Sequence, residues 1–155
     1  MTIDTHITGI LEHASGALST LIMSFDTWAA RLPRIEVHGT DGSLSVPDPN
    51  HFLGPVELYA AHTAPDPLTG ADPSDNWVDV GIHAGYLDSG RGYGLADLAL
   101  SVAEGRAHRA NDEVALHILE IMESVQQAAD SRASIALTTT CKRPEAISTP
   151  IDLTA

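Results

Sequence analysis

The hydrophobic pattern along this chain changes its period part-way. In the first half, apolar and polar positions alternate. Residues 5–13 set Ile7, Ile10 and Leu11 among threonines and histidines. Residues 17–28 place Leu18, Thr20, Ile22, Ser24 and Asp26 on one side and Ser19, Leu21, Met23 and Phe25 on the other. Ala14-Ser15-Gly16 between them has a tight-turn composition, so the two runs predict a hairpin. Apolar groups on both sides of the second run predict a central strand, covered on both faces. Residues 34–38 and 43–46 flank Gly39-Thr40-Asp41-Gly42, a second hairpin signal. Pro47-Asp48-Pro49-Asn50 then leaves the sheet, because proline donates no ladder hydrogen bond. Residues 56–62 and 77–80 read as two further strands. The stretch 63–75 between them, with three prolines and three aspartates, is predicted to be an exposed loop.

In the second half the period lengthens to that of a helix. Leu95, Leu98, Ala99 and Val102 share a helical face, and Gly105 suits the left-handed position after the last turn. Asn111 is a good N-cap, with Asp112 and Glu113 at the positive end of the helix that follows. Ala115, Ile118, Leu119, Met122 and Val125 form a stripe predicted to pack as core against the sheet. Residues 134–138 read as a last strand, and residues 145–155 as a loose tail. Strands first and helices afterwards give an α+β class: a mostly antiparallel sheet with two C-terminal helices packed on one face. A length of 155 residues suits one domain, large enough to bury a core without disulfides or metal.

Charge narrows the partners. Against 21 acidic residues stand 8 basic ones, a net charge of −13. Such a chain repels a phosphate backbone and anionic lipid, so neither nucleic acid nor membrane is expected as a partner. Cys141 is the only cysteine, which rules out an internal disulfide and suits a reducing cytoplasm. No signal peptide and no apolar run of membrane-spanning length is recognisable. The eight histidines show no metal spacing with a carboxylate companion, and H-E-x-x-H, C-x-x-C and G-x-S-x-G are all missing. Neither a metal nor a cofactor is expected.

The motifs add a resemblance. Gly85-Tyr86-Leu87-Asp88-Ser89-Gly90-Arg91-Gly92-Tyr93-Gly94-Leu95-Ala96-Asp97-Leu98 is followed by Glu104-Gly105-Arg106-Ala107-His108-Arg109-Ala110. With Ser24-Phe25-Asp26-Thr27-Trp28, Leu32-Pro33-Arg34-Ile35-Glu36 and Val46-Pro47-Asp48-Pro49-Asn50, these resemble the C-terminal domain of the Gfo/Idh/MocA-family oxidoreductases from about Thr5 to about Pro144. The resemblance implies that domain's fold. It also implies a stand-alone form, because the family's nucleotide-binding half and the lysine of its Glu-Lys-Pro signature have no counterpart. The only lysine, Lys142, lies near the tail. Gly90-Arg91-Gly92-Tyr93-Gly94-Leu95-Ala96 fails the G-x-G-x-x-G register, so it is read as a turn entering a helix. Asp79-Val80-Gly81-Ile82-His83 matches the letters of the family's Asp-x-Gly-x-His signature, but in the wrong place.

Without a cofactor, the expected function is a cofactor-independent enzyme of cyclase, isomerase or lyase type. It would hold a largely apolar metabolite in a pocket on or beside the sheet. His51, His83, Tyr86 and Tyr93 are the candidates to polarise or move a proton. Trp28, Arg31 and Trp77 would bind substrate, although each aromatic serves equally well in a core or dimer interface. The alternatives are an oxidoreductase half working with a separate nucleotide-binding subunit, and a non-catalytic binding module. Self-association through the sheet face is expected in place of the missing domain.

Overall fold

The computed structural model describes residues 4–51, 54–61, 77–81 and 90–146. They form β1 (His6–Glu12), β2 (Leu18–Ser24), β3 (Ile35–Gly39), β4 (Gly42–Val46), β5 (Glu57–Ala60), β6 (Val78–Asp79), α1 (Gly92–Glu104) and α2 (Asp112–Ser131). Every described strand pairing is antiparallel and both helices follow the strands, so the class is α+β. The elements fall into two compact units. One is drawn from Met1–Arg31 and Ala110–Arg143, the other from Leu32–Arg109 and Pro144–Ala155.

In the first unit β1 and β2 form the expected hairpin, in register from His6↔Ser24 to Glu12↔Leu18. The amide of Gly16 closes its turn by donating to the His13 carbonyl at 2.8 Å. Ile7, Gly9 and Leu11 lie on the more covered side of β1, and α2 approaches there: a Cβ built on Gly9 would lie 3.3 Å from Val125 Cγ1. Asn111 caps α2 by accepting from the Val114 amide at 2.9 Å.

Three expectations for this unit are corrected. β2 is not a central strand, because among the described residues its sheet has two strands, and Leu18 and Ile22 on its outer side are exposed together with Ile10 of β1. The apolar stripe of α2 is turned outward: Val125 packs against β1, but Ile118, Leu119 and Met122 are exposed, while Val114, His117 and Ile121 lie on the more covered side. Both sets recur at helical spacing, so periodicity alone does not choose between them. Residues 134–138 run outside both sheets and form no ladder. The amides of Thr138 and Thr139 are instead taken by the Glu120 carboxylate, both at 2.8 Å.

In the second unit β3 to β6 form a four-stranded meander in sequence order. The Thr40-Asp41 loop joins β3 and β4, with Gly39 opposite Gly42. A side chain at Gly42 would run into the carbonyl oxygen of Tyr59, so this glycine lets β5 close against β4. α1 ends at Gly105, which is left-handed (φ 66°) and donates to the Ser101 carbonyl. Its buried side is Tyr93, Asp97 and Ser101, whereas Leu95 and Val102 of the expected apolar face are exposed. The covered side of this helix carries an ion cluster, and not an apolar stripe.

Candidate functional site

The meander sorts its residues cleanly by side. Because side chains alternate along a strand, Ile35, Val37, Leu44, Val46, Leu58 and Val78 share one face and Glu36, His38, Ser43, Ser45, Glu57, Tyr59 and Asp79 the other. On the polar face the register runs in two rows. His38 stands opposite Ser43, and Ser43 opposite Tyr59; Glu36 stands opposite Ser45, Ser45 opposite Glu57, and Glu57 opposite Asp79.

Contacts tie the first row together. His38 Nδ1 lies 2.9 Å from Ser43 Oγ, and its Nε2 lies 3.9 Å from Glu36 Oε2. Tyr59 packs on Trp77, with ring centroids 5.6 Å apart and planes tilted by 59°. The arrangement offers an imidazole flanked by a hydroxyl and a carboxylate, next to a pair of aromatic rings. These are the parts of a proton-transfer site with an amphipathic wall. The site is open, as His38 is exposed.

The candidates expected from sequence are not gathered into one constellation. Trp77 is half-buried against Tyr59, and so joins this face. His51 is exposed at the end of a turn in which Asn50 N–H donates to Asp48 Oδ1 at 2.9 Å and His51 N–H to the Asp48 carbonyl at 3.0 Å. Arg91 Nη2 donates to Asn50 Oδ1 at 2.6 Å, which draws that turn to the start of α1, where Tyr93 is buried. Trp28 and Arg31 belong to the other unit, and both are exposed. His83 and Tyr86 lie outside the described residues. Glu36, His38, Ser43 and Tyr59 were not singled out by sequence reasoning. The signal that finds them is the Gly39–Gly42 turn, which fixes the register and places His38 opposite Ser43.

A second polar cluster lies on α1. Asp97, 5% exposed, accepts from Arg106 Nη2 at 3.0 Å, from the Arg109 amide at 3.2 Å and from Arg109 Nη1. Arg106 Nε also bonds Glu104 Oε2 at 2.7 Å, and Arg109 Nε reaches the Glu145 carbonyl at 2.9 Å. Burial opposes ionisation of Asp97. The Arg109 amide, the Arg106 hydrogen bond and the charges of both arginines outweigh it and hold the carboxyl below its ordinary range. With its oxygens committed to these donors, this cluster fastens the 105–109 turn to α1 and is a structural clamp.

Among the described residues, no group of three or more His, Cys, Asp or Glu is placed to hold a metal ion. No described helix is long and apolar enough to cross a membrane.

Residues 1–45 match the family model of the GFO/IDH/MocA C-terminal domain. This segment is therefore similar to a GFO/IDH/MocA C-terminal domain. It takes in β1, β2, β3 and nearly all of β4, and therefore Glu36, His38 and Ser43. The matched segment ends before α1, so the Asp97 clamp lies beyond it. No curated protein and no solved structure matches the chain.

Proposed function

We propose that this chain, whose first 45 residues are similar to an oxidoreductase C-terminal domain, handles a small molecule without a nicotinamide cofactor, by proton transfer of isomerase or lyase type. The observation that carries this reading is the line Glu36–His38–Ser43 beside Tyr59 and Trp77. With the Nδ1 proton donated to Ser43, His38 Nε2 presents its lone pair to a substrate. Glu36 stabilises the imidazolium once a proton has been taken. Tyr59 and Trp77 supply a wall for the carbon skeleton, and the carboxylate row beside them selects against anionic substrates. This makes the preferred ligand more polar than the largely apolar metabolite expected from the sequence.

The test is deuterium wash-in. Wild-type protein in D2O, incubated with a panel of neutral α- and β-hydroxyketones and followed by proton NMR, is expected to exchange the C–H next to the carbonyl. His38→Gln is expected to stop the exchange. Absence of exchange and of His38 shifts across the panel sinks the reading.

A second reading, an oxidoreductase half that pairs with a separate nucleotide-binding subunit, is favoured by the exposed apolar side of the hairpin, Ile10, Leu18 and Ile22. It requires that the purified chain fails to quench or shift NADH fluorescence alone and does so only with that subunit. Binding of NADH by the chain alone sinks it.

A further inference from the structure

The strongest unclaimed feature lies in the first unit, where residues 134–141 (Ser-Ile-Ala-Leu-Thr-Thr-Thr-Cys) belong to no helix or strand and are tied to α2. Glu120 holds this segment by accepting from the amides and hydroxyls of both Thr138 and Thr139, and His117 Nδ1 lies 2.9 Å from Thr139 Oγ1. It is therefore fixed in place and yet paired with no strand. The backbone groups of Ile135, Ala136, Leu137, Thr140 and Cys141 form no hydrogen bond among the described residues. The segment has no charge, proline or glycine to discourage pairing, the devices by which strand edges are normally protected. A shallow groove of about 440 Å³ runs along its second half, lined by Glu113, Leu116, Thr139, Thr140, Cys141 and Lys142.

Charge indicates what fits there. Among the described residues, four Lys or Arg side chains make no ion pair or hydrogen bond: Arg31, Arg132, Lys142 and Arg143. Three of the four bracket this segment, in a chain whose net charge is −13. Glu113 is the one carboxylate among the groove residues. Pairing with the same segment of a second copy would set Arg132 against Lys142 and Arg143 when antiparallel, and like on like when parallel. Both arrangements are repulsive.

The geometry points to an interaction surface: residues 135–141 accept an extended, acidic segment of a partner protein as an added strand. The partner backbone would satisfy the free amides and carbonyls, its carboxylates would meet Arg132, Lys142 and Arg143, and one of its side chains would enter the groove beside Leu116. At about 3.3 Å per residue, a strand of roughly seven residues spans the segment, pairing on either side of the Thr138 and Thr139 amides that Glu120 holds.

The experiment is amide hydrogen exchange by NMR on the full chain, alone and with two synthetic seven-residue peptides, one alternating valine with glutamate and one alternating valine with lysine. Alone, the amides of Ile135, Ala136, Leu137, Thr140 and Cys141 are expected to exchange fast. The glutamate peptide is expected to slow an alternating set of them at least tenfold, and the lysine peptide to leave them unchanged. Lys142→Glu combined with Arg143→Glu is expected to weaken the glutamate peptide about tenfold while exchange within α2 stays as in the wild type. Slow exchange in the chain alone at dimer mass would show that a second copy already covers the edge, and would overturn the proposal. Equal protection by the lysine peptide, or none from millimolar glutamate peptide, would do the same.

Discussion

The two units differ in what they take out of water. The second unit has the only buried residues among those described, Tyr93, Asp97 and Ser101, and two of the three are polar. Its helix is held by an ion cluster, and its sheet separates an apolar face from a polar one. The first unit buries no described residue fully and turns Ile10, Leu18, Ile22, Ile118, Leu119 and Met122 outward. Both units leave apolar side chains exposed, Val37, Val78, Leu95 and Val102 in the second among them, but only the second takes a charged group out of water. A buried ion cluster gives a helix one orientation but contributes modest net stability, because desolvation offsets much of the attraction. An exposed apolar arc leaves free energy available for association.

The contrast is most sharply broken at Asp97. Asp97→Ala leaves Arg106 and Arg109 without their shared acceptor. Both arginines still reach water, so the expected loss is about 2–3 kcal/mol in the second unit, measured by chemical denaturation. The pH dependence has a definite sign. Since the folded carboxyl titrates below its ordinary value near 3.8, its contribution is complete above that value and is lost as the pH falls through the lower, folded one.

In the first unit the largest single effect is expected at the cap of α2. Asn111→Ala removes the acceptor for the Val114 amide and is expected to cost about 1 kcal/mol, with faster exchange confined to the first turn. Glu120 provides a smaller and more local effect. The hydroxyls of Thr139 and Thr138, followed by their amides, bring its carboxyl from about 4.5 down to about 2. The hold on residues 138–139 is therefore complete above pH 4.5 and is lost as the pH falls towards 2. In Glu120→Gln, protection of the Thr138 and Thr139 amides should no longer change across that window. The smallest effect is expected at Trp28. Its ring is fully exposed, so Trp28→Ala should alter stability by less than about 0.5 kcal/mol by thermal melt. A larger loss would mean that the ring is covered in the protein in solution.

Much of the fold was legible because local chemistry and tertiary structure agree. Both hairpins, the Gly105 stop and the Asn111 cap are set by turn and capping residues whose preferences need no long-range partner. Helix orientation was not legible. α2 has apolar residues on two adjacent stripes, and the choice between them follows from Gly9 opposite Val125 and from Glu120 reaching Thr138 and Thr139. The side of α1 that turns inward depends on arginines 9 and 12 residues further on, a contact that no periodicity encodes. The candidate site divides in the same manner. Trp77 stood out as a large amphipathic side chain. His38, one histidine among eight, gains its meaning only from the strand register that brings it to Ser43.

The opposition of Glu57 and Asp79 across β5 and β6 has a consequence for behaviour in different buffers. β6 is two residues long, and one of its two register pairs sets like charges directly against each other, a destabilising arrangement. That repulsion is exposed, so it is screened once the Debye length shrinks from about 10 Å at 0.1 M towards about 3 Å at 1 M. The Asp97 pairs, taken out of water, are screened much less. Raising ionic strength should therefore tighten the outer ladder of the meander while leaving its helix clamp nearly unchanged, so that the sheet edge, and the wall formed by Trp77 next to it, firm up in concentrated electrolyte and fray in dilute buffer.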